Sequence, residues 1–225
     1  MSPGSDGRMP RDSTRVVERP AEIVREYGPF PEHVRGVTYD GKDVWFAAGE
    51  SVESFDPETG ASKRSLKVRA DAGTAFDGRH LFQLFDQQIQ KIDLETGRVL
   101  ASLPAPGKGR HAGLTWAEGS LWIAEFGEPR IYQVDPETGR VLRIVPSTRY
   151  VTGVTWVDGD LWHGHWENEQ SDIRRIDLDS GETLERLVMP EGIFVTGLES
   201  NGSDLFYCGG GSSRKVRAVR RPKKR

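Results

Sequence analysis

Along this chain, short runs of alternating apolar and polar residues are separated by turns rich in glycine and acidic residues. In one such run Val141, Arg143 and Val145 share one face and Leu142 and Ile144 the other, the period of a β-strand. The runs recur in a fixed order. A glycine and an apolar residue lead into a turn and a second apolar run: GVTYDGKDVWF from Gly36, GTAFDGRHLFQ from Gly73, GLTWAEGSLWI from Gly113, GVTWVDGDLWH from Gly153 and GLESNGSDLFY from Gly197. The first four copies continue into a third run that ends at an acidic turn, FDPETG at Phe55, IDLETG at Ile92, VDPETG at Val134 and IDLDSG at Ile176. In these turns Asp56 and Asp135 stand before a proline at the first corner of a type I turn, and Gly60 and Gly139 can take the left-handed position that ends it.

Units of about 40 residues, each with four short strands and one aromatic at a fixed place, describe the blades of a β-propeller. The fixed aromatic is Trp45, Phe82, Trp122, Trp162 or Phe206, a position suited to packing between blades. The fifth unit lacks its acidic turn and fourth strand, whereas Ala21–Tyr27 precedes the first unit without a partner. Ring closure accounts for both, with the N-terminal segment supplying the outer strand of the last blade and removing an exposed edge. The expectation is an all-β, five-bladed propeller of four-stranded antiparallel blades in a single domain over 16–221. A disordered tail is expected over 1–15 and a solvated basic tail over 222–225.

Composition narrows the function classes. A net charge of −3 argues against a general nucleic-acid binder. No apolar run is long enough to span a membrane, and the N-terminus shows no secretory leader. A single cysteine, Cys208, allows no internal disulfide and fits a reducing compartment. The expectation is a cytoplasmic monomer with a small-molecule partner and neither nucleic acid nor membrane.

Residues that break the repeat are the candidates for chemistry, because matching positions are explained by the fold. Propeller ligands bind at the channel mouth, on the side of the loops before the first strand and after the second. Two positions before the glycine, His111 stands against Val34, Asp71, Val151 and Val195. One position before it, Arg35 stands out from Ala72, Ala112, Thr152 and Thr196. Three residues past the aromatic the series reads Ala48, Phe85, Glu125, His165 and Gly209, so adjacent blades place a carboxylate and an imidazole at one height. The expected site is therefore catalytic His165, Glu125 and His111, with Trp166, Glu167, Arg35 and Asp71 binding substrate. Blade four also has the longest run from its aromatic to its acidic turn, which predicts a long loop above these residues. His163 falls at a packing position and His80 at a structural turn. Glu125 beside His165 would orient a general acid/base, and His111, His165 and Glu125 are also a donor set suited to one divalent metal. No HExxH, phosphate-binding glycine loop or GxSxG is present.

The GLTW and GVTW strands at Gly113 and Gly153, the DPETG turns and the LWHGHW segment at Leu161–Trp166 resemble the plant and bacterial type of glutaminyl cyclase, over about Gly36–Tyr207. The resemblance implies a five-bladed propeller and cyclisation of N-terminal glutamine with loss of ammonia. It also implies that site residues lie just before each blade's glycine. The family's glutamate would fall at Ala72, with Asp71 beside it facing the other way, while Trp166 matches a site aromatic. A weaker likeness is to virginiamycin B lyase-like propellers, which use His and Glu around a metal. The sequence thus favours a small-molecule enzyme of lyase or cyclising-transferase type. Authentic glutaminyl-peptide cyclisation and a non-catalytic ligand- or protein-binding propeller stand beside it.

Overall fold

A computed structural model of the protein describes residues 16–223. The tail expected over 1–15 lies outside the described residues, as do the last two residues of the basic run. Two strands precede the repeats, β1 (Val17–Pro20) and β2 (Ile23–Tyr27). Blade one comprises β3 (Val37–Tyr39), β4 (Val44–Ala47), β5 (Val52–Phe55) and β6 (Ser62–Leu66). Blade two comprises β7 (Thr74–Phe76), β8 (His80–Phe85), β9 (Gln88–Asp93) and β10 (Val99–Pro104). Blade three comprises β11 (Arg110–Ala117), β12 (Ser120–Phe126), β13 (Arg130–Val134) and β14 (Val141–Pro146). Blade four comprises β15 (Val151–Val157), β16 (Asp160–Glu167), β17 (Gln170–Ile176) and β18 (Thr183–Val188). Blade five comprises β19 (Gly197–Ser200), β20 (Leu205–Gly209), β21 (Val216–Arg220) and, outermost, β2.

The molecule is the five-bladed β-propeller that the repeat implies, and β2 closes it by pairing antiparallel with β21. One element was not legible. β1 adds to β18 in parallel, giving blade four a fifth strand held by Arg19–Glu185 and Arg186–Glu18 ion pairs. The acidic turns behave as their composition requires. Asp135 accepts from the Thr138 hydroxyl and from the backbone N–H groups of Thr138 and Glu137, and Gly139 sits at φ 72°. These donors stabilise the charged carboxylate and hold its pKa below the ordinary aspartate value.

The fixed aromatics are buried between blades. Phe82 stacks on Trp116 of blade three, Trp122 on Trp156 of blade four, and Trp162 packs on Phe206 of blade five. Their burial, with that of the aliphatic residues around them, supplies the apolar area that holds neighbouring blades together.

The glycine that opens each unit has a steric reason. A Cβ on Gly36 would lie less than 3.0 Å from main-chain atoms of blade two. The same holds for Gly73 against blade three, Gly113 against blade four, Gly153 against blade five and Gly197 against blade one. At these glycines each inner strand approaches the main chain of the next at a distance no side chain permits. We expect Gly113→Ala to destabilise the fold by about 2–3 kcal/mol in urea unfolding, because the obstructing atoms are backbone and cannot turn aside. Gly119→Asn, at a turn where a Cβ meets nothing and the left-handed φ suits asparagine, should stay within about 0.5 kcal/mol of the parent.

Candidate functional site

At one end of the channel, residues from all five blades line a cavity of about 380 Å³. They come from the starts of the inner strands or the segments just before them, and from the ends of the second strands of blades three and four and the segment after that of blade five. His33 and Arg35 belong to blade one, Asp71 and Ala72 to blade two, Arg110, His111 and Phe126 to blade three, Thr152 and Trp166 to blade four, and Phe194 and Thr196 to blade five. Arg35, Asp71, His111 and Trp166, all singled out by the repeat, are among them. Asp71 and Ala72 both line it, and the Asp71 main-chain carbonyl accepts from Arg35 there. His165, Glu125 and Glu167 do not line it.

The expected pairing of Glu125 with His165 does not form, and rotational symmetry explains why. Leu121 and Ile123 on β12 pack with Ala75, Phe82 and Leu84 of blade two, so Glu125, next on that face, also points toward blade two. On β16, Leu161 packs against Trp122 and Ala124 of blade three, and His165 follows on that face. Equivalent positions in neighbouring blades point the same way round the ring, so a full blade separates the two side chains.

Each group has other partners. Glu125, 2% exposed, accepts hydrogen bonds from the backbone N–H of Lys108 and Gly109 and from the Tyr132 hydroxyl (2.9 Å). A Cβ on Gly107 or Gly109 would strike its carboxylate, so the loop between blades two and three is wrapped around it. His111, the cross-strand partner of Glu125, donates from Nε2 to the carbonyl of Pro106 in that loop (2.6 Å). The pair therefore holds one loop, with the His111 ring also in the cavity wall.

His165, 4% exposed, accepts at Nδ1 from the Arg174 guanidinium (2.9 Å), which leaves its proton on Nε2. Burial, then the positive charge of Arg174, lower its pKa. The nearest oxygen of Glu167 is 3.9 Å from Nε2. Arg174 also grips the buried Asp172 through two bonds, and Arg186 adds a third. Burial alone would raise the pKa of Asp172; the two guanidinium groups overcome it and hold the carboxyl below the ordinary value. His111, His165 and Glu125 are thus committed to separate partners, and no group of three or more His, Cys, Asp or Glu among the described residues is arranged to hold a metal.

The long loop expected in blade four is instead an extension of two strands. β16 and β17 pair to Glu167–Gln170 around a two-residue turn, Asn168–Glu169, with both φ values positive. The extension carries Trp166 to the cavity, where it stacks with Phe126 (6.5 Å between centroids) and meets Phe194 edge-on (6.2 Å). His163 is fully buried, bonded through Nδ1 to the Gly164 carbonyl and pushed down to about 4 by burial, as a packing position requires. Burial raises the Cys208 thiol pKa far above its ordinary value, which suppresses the thiolate a nucleophile needs.

One functional-looking group was missed. Two residues past the blade glycine stand Thr38, Ala75, Thr115 and Thr155, and in blade five Glu199. From β19 its carboxylate reaches across the channel axis, accepting from Thr38 (3.2 Å), Thr115 (3.4 Å) and Thr155 and from its neighbour Ser200 N–H (2.9 Å). The mismatch is as visible in the repeat as those of His111 and His165, but lies on the inner strand rather than in the mouth.

The comparisons with known proteins divide sharply. No protein-family model matches the chain, and no match is found among curated proteins. Among solved structures, the glutaminyl cyclase of Myxococcus xanthus aligns over 92% of this chain and 98% of its own, with a TM-score of 0.73 and 17% identity. The two chains share one fold. The β-propeller domain of Cps50 (Swd1) from Myceliophteria thermophila aligns over 90% of this chain and 100% of its own, with a TM-score of 0.58 and 10% identity. Hydrazine synthase of Kuenenia stuttgartiensis aligns over 78% of this chain and 55% of its own, with a TM-score of 0.50 and 16% identity.

Glu199 generates a pH prediction. Solvent reaches it only in part, and burial raises its pKa from 4.5 to about 7 despite the hydroxyl donors. A raised folded-state pKa means that the native state holds the proton more tightly than the unfolded chain. Its contribution is then fully present below pH 4.5 and is lost as pH rises through about 7. Unfolding free energy should fall by about 1–3 kcal/mol over this window. In Glu199→Gln, whose amide the threonines can still bond, that decline should disappear; an unchanged pH profile would assign it to other groups.

Proposed function

We propose that the cavity is the functional site of a small-molecule enzyme working by acid/base chemistry, of lyase or cyclising-transferase type, with His111 as its proton-transferring side chain. The observation that carries this reading is the pinned ring of His111. It is part of the cavity wall, and its Nε2 is tied to the Pro106 carbonyl, which fixes the ring and leaves Nδ1 as the nitrogen able to take a proton from a ligand. Glu125 and His165 act in this scheme as positioning residues, the first through the loop that orients His111 and the second through the base of the extended hairpin that carries Trp166. The test is product formation, followed by mass spectrometry, on a panel of small acids, lactones and glutaminyl peptides. His111→Ala should lower turnover at least about 100-fold while costing no more than the roughly 1 kcal/mol of stability that its bond to Pro106 supplies; equal turnover would sink the assignment.

Authentic glutaminyl cyclisation is a second reading, favoured by the 0.73 TM-score with the Myxococcus enzyme. Ala72 stands where the family resemblance calls for a glutamate, so Asp71, the only carboxylate of the described lining, would have to serve as the acid/base. Ammonia release from a glutaminyl peptide, lost in Asp71→Asn, would support it, and no release by the parent protein would remove it. Saturable binding with no ligand consumed would favour a non-catalytic propeller.

A further inference from the structure

Away from the cavity, Arg25 and Arg64 each spend two donor contacts on main-chain carbonyls, while other guanidinium groups face carboxylates: Arg19 meets Glu185, Arg143 meets Asp179, and Arg217 meets Glu26. The two at the cavity do not. Arg35 donates once, to the main-chain carbonyl of Asp71 (3.1 Å), and Arg110 lies over the ring of Phe126, 5.3 Å from its centroid. Neither has an ion-pair partner among the described residues. A guanidinium carries five N–H donors in a rigid fork shaped for a planar oxyanion, so most of the donor capacity of both side chains is unspent at the cavity. Asp71, on the blade between them, is the only opposing charge in the described lining.

The other half of the lining has a different character. Phe126, Trp166 and Phe194 form a continuous chain of rings across blades three to five, and Trp166 keeps 37% of its surface exposed. Thr152, nine-tenths buried in the same lining, has no partner for its hydroxyl among the described residues. A volume of about 380 Å³ lies at the small end of ligand pockets, about 300–1,000 Å³.

We infer that this cavity takes a small oxyanion joined to a flat apolar body, the anionic group on Arg35 and Arg110 and the flat part on the Trp166 wall. The inference rests on the cavity being the functional site, as proposed above, and adds the chemical class of its ligand. A cation of the same shape would meet two guanidinium groups against one carboxylate, and a neutral ligand would leave their donors to water.

Isothermal titration with four probes of one shape tests it: phenylacetate, phenyl phosphate, 2-phenylethanol and phenethylamine. At least one of the two anions should bind saturably, with affinity falling as salt rises, and the alcohol and amine should bind at least about tenfold more weakly. The better anion identifies the headgroup as carboxylate or phosphate. Arg35→Ala and Arg110→Ala should each weaken that anion about tenfold or more. Both side chains are surface groups, so unchanged melting temperatures separate lost binding from lost folding; the lysine variants, which keep charge but lose the fork, should fall in between. Equal affinity for amine or alcohol, indifference to the double alanine variant, or no saturable binding by any probe would overturn the inference. Anion binding without turnover of any ligand would sink the acid/base reading and leave this inference standing, whereas His111-dependent turnover of an amine would do the reverse.

Discussion

The five inner strands meet backbone to backbone, and that approach depends on a glycine at the head of each. A side chain at Gly36, Gly73, Gly113, Gly153 or Gly197 would collide with the neighbouring strand, and the fifth contact returns to the first blade. The constraint is cyclic, so relief at one junction has to be taken up by the others. The apolar cores between blades supply most of the favourable energy, but the glycines set how tightly the ring closes.

That closeness shapes the chemistry. The residues just before each glycine are drawn into one mouth, which is how Arg35, Ala72, His111 and Thr152 come to share a cavity although they are far apart in sequence. Just past the glycines, the channel is narrow enough for one glutamate on β19 to reach threonines of three other blades. Glu199 thereby couples closure of the ring to protonation, since a carboxylate enclosed this closely by protein holds its proton longer than one in water.

The mouth is divided as well. Its guanidinium groups come from blades one and three, and its ring wall from blades three to five. Blade three contributes to both halves, and Arg110 lies against Phe126 where they meet. The loop before this blade is folded around Glu125, and that anchoring gives the His111 ring one defined orientation.

The sequence by itself determined the architecture: five blades, their antiparallel order, and the borrowed N-terminal strand that closes the ring. Period-two alternation, aspartate-capped turns and a recurring aromatic are local signals, and each repeats often enough to be read without a structure. It also determined which end of the channel to search, and Arg35, Asp71, His111 and Trp166 do meet there. Only the tertiary structure decided which side chains face one another. Glu125 and His165 occupy equivalent positions, and equivalence in a rotational repeat means pointing the same way round the ring, so one turned to a loop and Tyr132 and the other to Arg174. The parallel docking of β1, the extension of β16 and β17, and the carboxylate of Glu199 on the axis were undecided for the same reason. The first and last depend on contacts between elements far apart in sequence, and the hairpin on where its turn at Asn168–Glu169 falls, none of which a period along a single strand encodes.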